Sequence, residues 1–186
     1  MKGLYQIPIQ RYIAKTSILW YDLFSSVQNG GVTLGLLTRD IAADAIRIAL
    51  PAIVGLCAEA TSQPKGVVIA IAGKGLPEPF TWTMEELGSR EKWELDFHQI
   101  ALEKLLVSSR TGRASRKVID EAPWLLEAGD SLYQGAVAED AGLAVSVSGS
   151  YSQVDEAIAW MVFNIIFGLC HIKLRVFQDR EIASLP

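Results

Sequence analysis

The stretch that decides the fold is AGLAVSVSGSYSQVDEAIAWMVFNIIFGL, residues 141–169. Residues 143–148 alternate between large apolar and small side chains, the period-two pattern of a half-buried strand. Gly149 breaks this strand, and Ser152, with Asp155 three residues later, predicts the N-cap of a long helix. A strand that ends in Ser-Gly-Ser and leads directly into a helix places backbone N–H groups at a positive helix end, where an anion can bind. The stretch therefore predicts the edge of a binding pocket.

Two hairpins are predicted around this stretch. Residues 129–137 form a candidate strand that pairs with 143–148 through the turn at 139–142. The run VVIAIA at 67–72 predicts a central, fully buried strand, and 80–83 predicts its hairpin partner. Because hairpins pair antiparallel, the fold class is α+β, a sandwich in which helices cover an antiparallel sheet, rather than a doubly wound parallel sheet.

The predicted helices lie between and after these strands. Thr38 is expected to cap a helix that reaches about residue 60 and that Pro51 kinks or divides. A second helix is predicted from Ser89 to about Ser109, and a short one over 115–126 is broken at Pro123. After the long helix that follows Ser152, residues 173–177 are expected to form a terminal strand.

Composition limits the classes of function. Half of the 186 residues are hydrophobic and a fifth are charged, so we expect a sizeable core and apolar surface buried between subunits. The net charge of -4 argues against nonspecific binding of nucleic acid. Cys57 and Cys170 lie in apolar runs without metal-ligand spacing, which favours two buried thiols in a reducing compartment and predicts no metal site. No secretory signal is recognised, and the apolar run 157–172 is short for a membrane span, so a cytoplasmic protein with no membrane partner is expected.

The chain resembles the GlcG/HbpS-like superfamily, which includes the C-terminal domain of PduO and the UPF0303 proteins. The resemblance rests on the order and spacing of three short segments. The matching segments are VVIAIA at 67–72, IALEKLLVSS at 100–109 and VSVSGSYSQVDEAIA at 145–159. The resemblance implies a profilin-like α/β/α sandwich with a five-stranded antiparallel sheet, assembly into homo-oligomers, and haem as a candidate cofactor. It divides the chain into an N-terminal extension (1–36) that wraps the domain or contacts a neighbouring subunit, a GlcG/HbpS-like domain (37–172) and a C-terminal tail (173–186).

Three residues are candidates for chemistry. Lys104 lies on the apolar stripe of its predicted helix and corresponds to the family's helix lysine, so it is expected to be a desolvated ammonium. Asp155 could pair with it or act as a general acid or base, and His98 could move protons or ligate haem. The structural alternatives are a lysine at a helix edge whose ammonium reaches solvent, a capping carboxylate and a histidine on an ordinary polar face.

A further set of residues is predicted to line the pocket. The arginines could hold carboxylates or phosphates, although a solvated basic turn or a salt bridge to another subunit would explain them as well. The aromatic residues could enclose a flat ligand, although core packing is an equal explanation. The ligand-binding candidates are Trp82, Trp93, Phe97, Arg110, Arg113, Tyr133, Ser148, Gly149, Tyr151 and Gln153.

Three functions remain open from the sequence. The first is a small-molecule-binding protein whose pocket, between the Lys104 helix and the Ser148–Asp155 junction, accepts a flat or apolar carboxylated ligand such as haem. The second is a cofactor-independent enzyme, an isomerase, cyclase or lyase, that uses the same pocket. It is favoured by Val107, which stands where typical family members have a threonine that could contact haem. The third is a structural assembly protein with subunit contacts through the helix at 154–169 and the N-terminal extension.

Overall fold

The computed structural model describes residues 37–60, 66–84, 93, 95–139 and 142–183, with side chains as far as residue 176. The predictions for the N-terminal extension and for a helix start at Ser89 concern residues outside these ranges. The described part contains four α-helices, a short 3-10 helix and four strands. Their bounds, in chain order, are α1 Arg39–Ala60, β1 Val67–Gly73, β2 Phe80–Met84, α2 Phe97–Thr111, α3 Ser115–Glu121, the 3-10 helix Pro123–Leu125, β3 Ala136–Glu139, β4 Leu143–Ser148 and α4 Ser152–Ala183.

The four strands form one antiparallel sheet in the order β2-β1-β4-β3. Both predicted hairpins are confirmed, and β1 is central with all seven residues buried. The sheet therefore has the predicted antiparallel α+β character, but it has four strands in the described residues, not the five that the family resemblance implies. Part of the difference lies at the C-terminus: residues 173–177, expected to be a strand, continue helix α4 as far as Ala183.

The sheet has two chemically different faces because its side chains alternate. One face carries large residues such as Ile69, Ile71 and Val145, which join α1 and α4 in one hydrophobic cluster. The other face carries mainly small residues, including Ala70, Ala144 and Ser146, and α2 packs against this side of β1, β3 and β4. The result is three layers, with α1 and α4 on one side of the sheet and α2 on the other.

Helix termini follow the local sequence, with some shifts from prediction. Thr38 Oγ1 accepts the N–H of Ile41 at 3.3 Å, which confirms the predicted cap of α1, and this helix continues through Pro51 without division. Helix α2 begins later than expected, at Phe97, because Asp96 accepts the N–H groups of His98 and Gln99. The predicted helix over 115–126 is confirmed in two parts, α3 and the 3-10 helix that starts at Pro123.

Two predicted boundaries, the start of strand β3 and the start of helix α4, are wrong. Strand β3 begins at Ala136, not near residue 129. Ser115 Oγ accepts the N–H of Ala136 at 3.0 Å and lies 3.3 Å from its carbonyl oxygen, so α3 satisfies the outer edge of this strand. Ser152 is the first residue of α4 rather than its N-cap, and the carbonyl of Tyr151 accepts the N–H groups of Val154 and Asp155.

Two of the described helices, over Arg39–Ala60 and Ser152–Val176, are long and apolar enough to cross a membrane by length and composition. The core helix of a soluble protein meets the same criterion, and both helices here pack their inner sides against the sheet or each other.

Candidate functional site

A buried ion pair joins the two opposite helical layers past the edge of the sheet. Lys104 projects from α2 and is 1% exposed, and Asp155, in the first turn of α4, is 3% exposed. Lys104 Nζ lies 3.4 Å from Asp155 Oδ2. The predicted pairing of these residues is therefore present in the fold.

The ammonium group has a complete set of hydrogen-bond acceptors. Lys104 Nζ donates to the carbonyl oxygen of Gln134 at 2.9 Å, to that of Val147, and to Asp155 Oδ2. An ammonium has three hydrogens, and these three acceptors account for all of them. The other carboxylate oxygen, Asp155 Oδ1, accepts the N–H of Ser150 at 3.0 Å. The pair thus connects two loop ends, residues 134–135 before β3 and 149–150 after β4.

Glycines make room for this arrangement. Gly135 has φ +114°, and a Cβ there would lie 2.9 Å from Lys104 Nζ and 2.7 Å from Asp155 Cβ. Gly149 has φ +139°, and a Cβ there would lie 2.2 Å from the carbonyl oxygen of Gly66. Both positions combine a backbone conformation that favours glycine with a contact that excludes a side chain. The contribution of Gly149 to the site is therefore the backbone bend between β4 and α4, which a residue with a side chain could not adopt here.

Burial dominates the electrostatics of the pair. Loss of solvent lowers the pKa of Lys104, although the neighbouring Asp155 opposes that shift. Burial raises the pKa of Asp155 from its ordinary 3.8 to about 6, and Lys104 and the backbone N–H groups of Ser150 and Gly149 oppose the rise. Burial, with a smaller contribution from Asp155, also raises the pKa of the Cys57 thiol on α1 to about 11. Burial is therefore the main influence on the pKa values of both members of the pair.

His98 belongs to a different cluster. It lies six residues before Lys104, about 9 Å along the axis of α2. His98 Nε2 is 2.8 Å from Thr83 Oγ1, and its ring centroid is 6.1 Å from that of Trp93. Phe97 also packs on Trp93, with ring centroids 4.9 Å apart, while Trp82 is half-buried against the main core. These four predicted site residues are therefore not assembled around the ion pair.

Of the two predicted arginines, Arg110 has hydrogen-bond partners within the chain. Arg110 donates to the carbonyl oxygen of Leu125 at 3.0 Å, to Glu127 Oε1 at 2.7 Å, and to Asp130. These bonds hold the loop that leads to β3. Arg116 Nε donates to both carboxylate oxygens of Glu156, at 3.2 and 2.9 Å, and so joins α3 to α4. Arg113 is exposed.

Two exposed tyrosines border the loop ends that the ion pair connects. Tyr133 is 53% exposed and precedes Gln134, whose carbonyl binds Lys104. Tyr151 is 64% exposed and follows Ser150, whose N–H binds Asp155. Ser148 is buried at the end of β4, and Gln153 is exposed in the first turn of α4.

Sequence reasoning missed several groups around this region. The Gln134 carbonyl and Gly135 could not be assigned a role because nothing in a sequence indicates which loop approaches a lysine 30 residues away. Four buried hydroxyls, those of Ser108, Ser109, Ser146 and Ser150, have no hydrogen-bond partner within the described part of the chain. The sequence could have indicated that Ser108 is buried on the same side of the helix as Lys104, because it lies one turn later on the same helical stripe.

Haem as a cofactor, with His98 as a candidate ligand, stays a prediction from the sequence. All three hydrogens of the Lys104 ammonium are engaged and its side chain is buried. His98 has its Nε2 on Thr83 and lies in the other cluster. The fold therefore does not bring Lys104 and His98 together at one site.

Comparison with known proteins identifies one structural likeness. No family model matches the chain, and no curated protein matches its sequence. Among solved structures, the chain is similar to the DUF336 protein ORFY of Klebsiella pneumoniae. The two share 17% sequence identity, the alignment covers 75% of this chain and 94% of ORFY, and the TM-score is 0.46.

Proposed function

We propose that this protein is a cytoplasmic small-molecule-binding protein and that its ligand binds at the surface above the Lys104–Asp155 pair. The ligand would lie between the loop end that carries Tyr133 and the loop end that carries Tyr151. The observation that carries the proposal is that one buried ion pair holds both loop ends by hydrogen bonds to their backbones. Rigid aromatic side chains on a fixed backbone are a suitable surface for a flat, apolar ligand.

The start of α4 supports a ligand that also carries a carboxylate. Helix N-termini favour anions because their first N–H groups point outward and the helix dipole is positive there. A carboxylate side chain in the first turn would normally repel a second anion. Here the charge of Asp155 is balanced by Lys104 at 3.4 Å, so the positive end of α4 is preserved. In this proposal Lys104 and Asp155 position the site and do not touch the ligand.

A titration with 2-naphthoate, a flat aromatic carboxylate, tests the site. We expect Tyr133→Ala and Tyr151→Ala each to raise the dissociation constant by about fivefold or more, since an aromatic contact contributes about 1 kcal/mol or more. Trp124→Ala is the matched control, because Trp124 is the most exposed large hydrophobic residue described and lies on the 3-10 helix. Equal affinity of all three variants and the wild type would reject the site, and haemin titrated in the same way tests whether haem binds elsewhere.

A second function is favoured by one observation, the rise in the pKa of Asp155 to about 6. General acids and bases work best with a pKa near the operating pH, so Asp155 suits proton transfer in a cofactor-independent isomerase, cyclase or lyase. Its burial requires that the loop at 149–151 move before a substrate reaches it. Solvent deuterium exchange into a co-purifying ligand, followed by mass spectrometry, tests this reaction class. Unchanged exchange in a Lys104→Ala, Asp155→Ala double variant would reject it.

We also infer that the chain is a divergent member of the GlcG/HbpS-like superfamily with a profilin-like fold. The inference is supported by the order hairpin, helix, hairpin, helix and by the placement of the helix lysine beside the Ser-Gly-Ser bend. An experimental structure of the whole chain tests it, because a fifth strand beside the four described would complete the profilin-like sheet.

A further inference from the structure

Two glycine backbones meet where the sheet leads into the loop end that carries Tyr151. Gly66 lies directly before β1, and Gly149 lies directly after β4. The two strands pair with Val68 opposite Ser148. A Cβ at Gly149 would lie 2.2 Å from the carbonyl oxygen of Gly66 and 3.1 Å from its carbonyl carbon. The bend at Gly149 is therefore in close contact with the backbone that enters β1.

The indole ring of Trp93 packs against the same backbone. A Cβ at Gly66 would lie 3.2 Å from Trp93 Cζ2 and 3.3 Å from Trp93 Nε1. Gly66 has φ +95°, a backbone conformation that favours glycine. Gly66 thus faces the ring of Trp93 on its Cα side and faces Gly149 with its carbonyl oxygen.

The start of helix α2 fixes the position of this ring. Trp93 is half-buried and packs on Phe97, the first residue of α2, with ring centroids 4.9 Å apart. The ring centroid of His98, the second residue of α2, lies 6.1 Å from that of Trp93. His98 Nε2 is in turn 2.8 Å from Thr83 Oγ1 on the edge strand β2. The indole is therefore held between α2 and the sheet.

The ion pair supports the same bend from another position on α2. Lys104 donates to Asp155, and Asp155 accepts the N–H of Ser150, which directly follows the bend. Helix α2 therefore reaches this backbone by two routes. One is the ion pair, and the other is the contact of Trp93 with Gly66.

We propose that Trp93 is a positioning residue of the ligand site: through Gly66 it fixes the bend at Gly149, and with it Tyr151. This role rests on the proposed function, which places the ligand against Tyr151, and Trp93 itself does not touch the ligand. Removal of the indole leaves space beside Gly66 into which the backbone at the bend can move. A flat ligand binds less tightly to a ring whose backbone support is loose, because the ring must then be ordered on binding.

Exchange of the Ser150 amide with solvent, measured by NMR on the full chain, tests the positioning without any ligand. We expect Trp93→Ala to speed this exchange about tenfold or more relative to the amides of β1 and β4, because local opening of the bend releases the N–H from Asp155. Trp93→Phe keeps a shorter aromatic ring, so it should give an intermediate rate, and it decides the test if the alanine variant does not fold.

Trp160→Ala and Trp160→Phe are the matched controls. Trp160 is also half-buried, and it packs on another aromatic ring, that of Phe163, with centroids 5.5 Å apart within α4. These substitutions remove a comparable packing contact without changing the contact at Gly66. Their exchange at Ser150 should therefore change only in proportion to that of β1 and β4.

Binding of 2-naphthoate tests whether Trp93 acts through Tyr151. We expect Trp93→Ala to raise the dissociation constant about fivefold in the wild type and in the Tyr133→Ala variant. In the Tyr151→Ala variant it should have no further effect, since the contact that it positions is already absent. A ring that served only overall stability would not distinguish between these backgrounds.

The outcomes separate the positioning role from the proposed function. Faster relative exchange at Ser150 in the Trp93 variants alone, with the loss of affinity confined to chains that retain Tyr151, supports the positioning role. Unchanged relative exchange, or an equal increase in the Trp160 variants, overturns it, and so does an equal loss of affinity in all three backgrounds. A wild type that does not bind 2-naphthoate rejects the ligand site, and the exchange at Ser150 then decides alone whether Trp93 holds the bend.

Discussion

At the scale of single residues, the main feature is a charged lysine placed where a hydrophobic residue would normally lie. Lys104 is the largest fully buried side chain of the described structure. Burying an ammonium costs free energy, and the cost is offset only when every hydrogen has an acceptor and an opposite charge lies close. Two backbone carbonyls and Asp155 provide this environment, and Gly135 leaves space for it.

Gly135→Ala is expected to destabilise the fold by more than about 2 kcal/mol. The new Cβ requires a strained backbone and would lie 2.7 Å from Asp155 Cβ, so the ion pair must shift. Gly129→Ala is the matched control, because Gly129 also has a positive φ, +96°, but a Cβ there meets nothing within 4 Å. It should cost about 1 kcal/mol, the backbone effect alone. Urea unfolding of the three proteins measures the difference, and equal losses would show that the space at Gly135 is unimportant.

The raised pKa of Asp155 predicts an unusual pH dependence. Between pH 3.8 and about 6 the folded chain binds more protons at this residue than the unfolded chain does. The contribution of Asp155 to the free energy of unfolding must therefore decrease as the pH rises through this window. Asp155→Asn removes the titration, so the stability of the wild type relative to this variant should fall from pH 4 to pH 6 and then level off. A relative stability that increases with pH, as for an ordinary paired carboxylate, would contradict the assignment.

At the scale of secondary structure, the ion pair connects elements that otherwise lie on opposite sides of the sheet. Lys104 belongs to α2 and Asp155 to α4. The carbonyls of Gln134 and Val147 bind Lys104, and the N–H of Ser150, just after β4, binds Asp155. The exposed Arg116–Glu156 pair makes a second connection, between α3 and α4. The first connection is buried and the second is partly exposed, so the two should differ in energy.

A double-mutant cycle on the buried pair tests this connection. Asp155→Ala leaves an uncompensated buried ammonium and should cost about 3–5 kcal/mol. In the double variant with Lys104→Met, no charge remains unpaired, so we expect it to lose much less than the sum of the single losses. The same cycle on Arg116 and Glu156 should give a smaller coupling, of about 1 kcal/mol or less, because Arg116 is exposed to water. Additive losses at Lys104 and Asp155 would show that the two layers are not coupled through these residues.

At the scale of the whole molecule, the stable centre is predicted to be the strand pair β1 and β4. Every residue of both strands is buried, helices cover both faces, and each strand has a partner on either side. Strand β2 lies at an edge and is only partly buried. Hydrogen exchange followed by mass spectrometry should therefore find the slowest amides in residues 67–73 and 143–148, because these exchange only on global unfolding. Equally fast exchange of β1 and β2 would contradict this picture.

The sequence determined the features that depend on neighbouring residues. The period-two pattern at 143–148 and the apolar run at 67–72 were sufficient to predict both hairpins and the central strand. The capping residue Thr38 and the break at Pro123 were also correctly predicted, since these signals act over one helical turn. The apolar stripe was compatible with a desolvated Lys104 or with one that reaches solvent, and pairing with Lys104 was one of two suggested roles for Asp155; the structure contains the buried pair.

Only the tertiary structure decided the features that depend on distant segments. It extended α4 through residues 173–177, started β3 at Ala136, and placed His98 beside Thr83 instead of the ion pair. It also revealed the carbonyls of Gln134 and Val147 as acceptors for Lys104. The physical reason is that a buried charge needs acceptors from whichever backbone lies within about 3 Å, and that backbone belongs to segments 30 and 43 residues away in the chain.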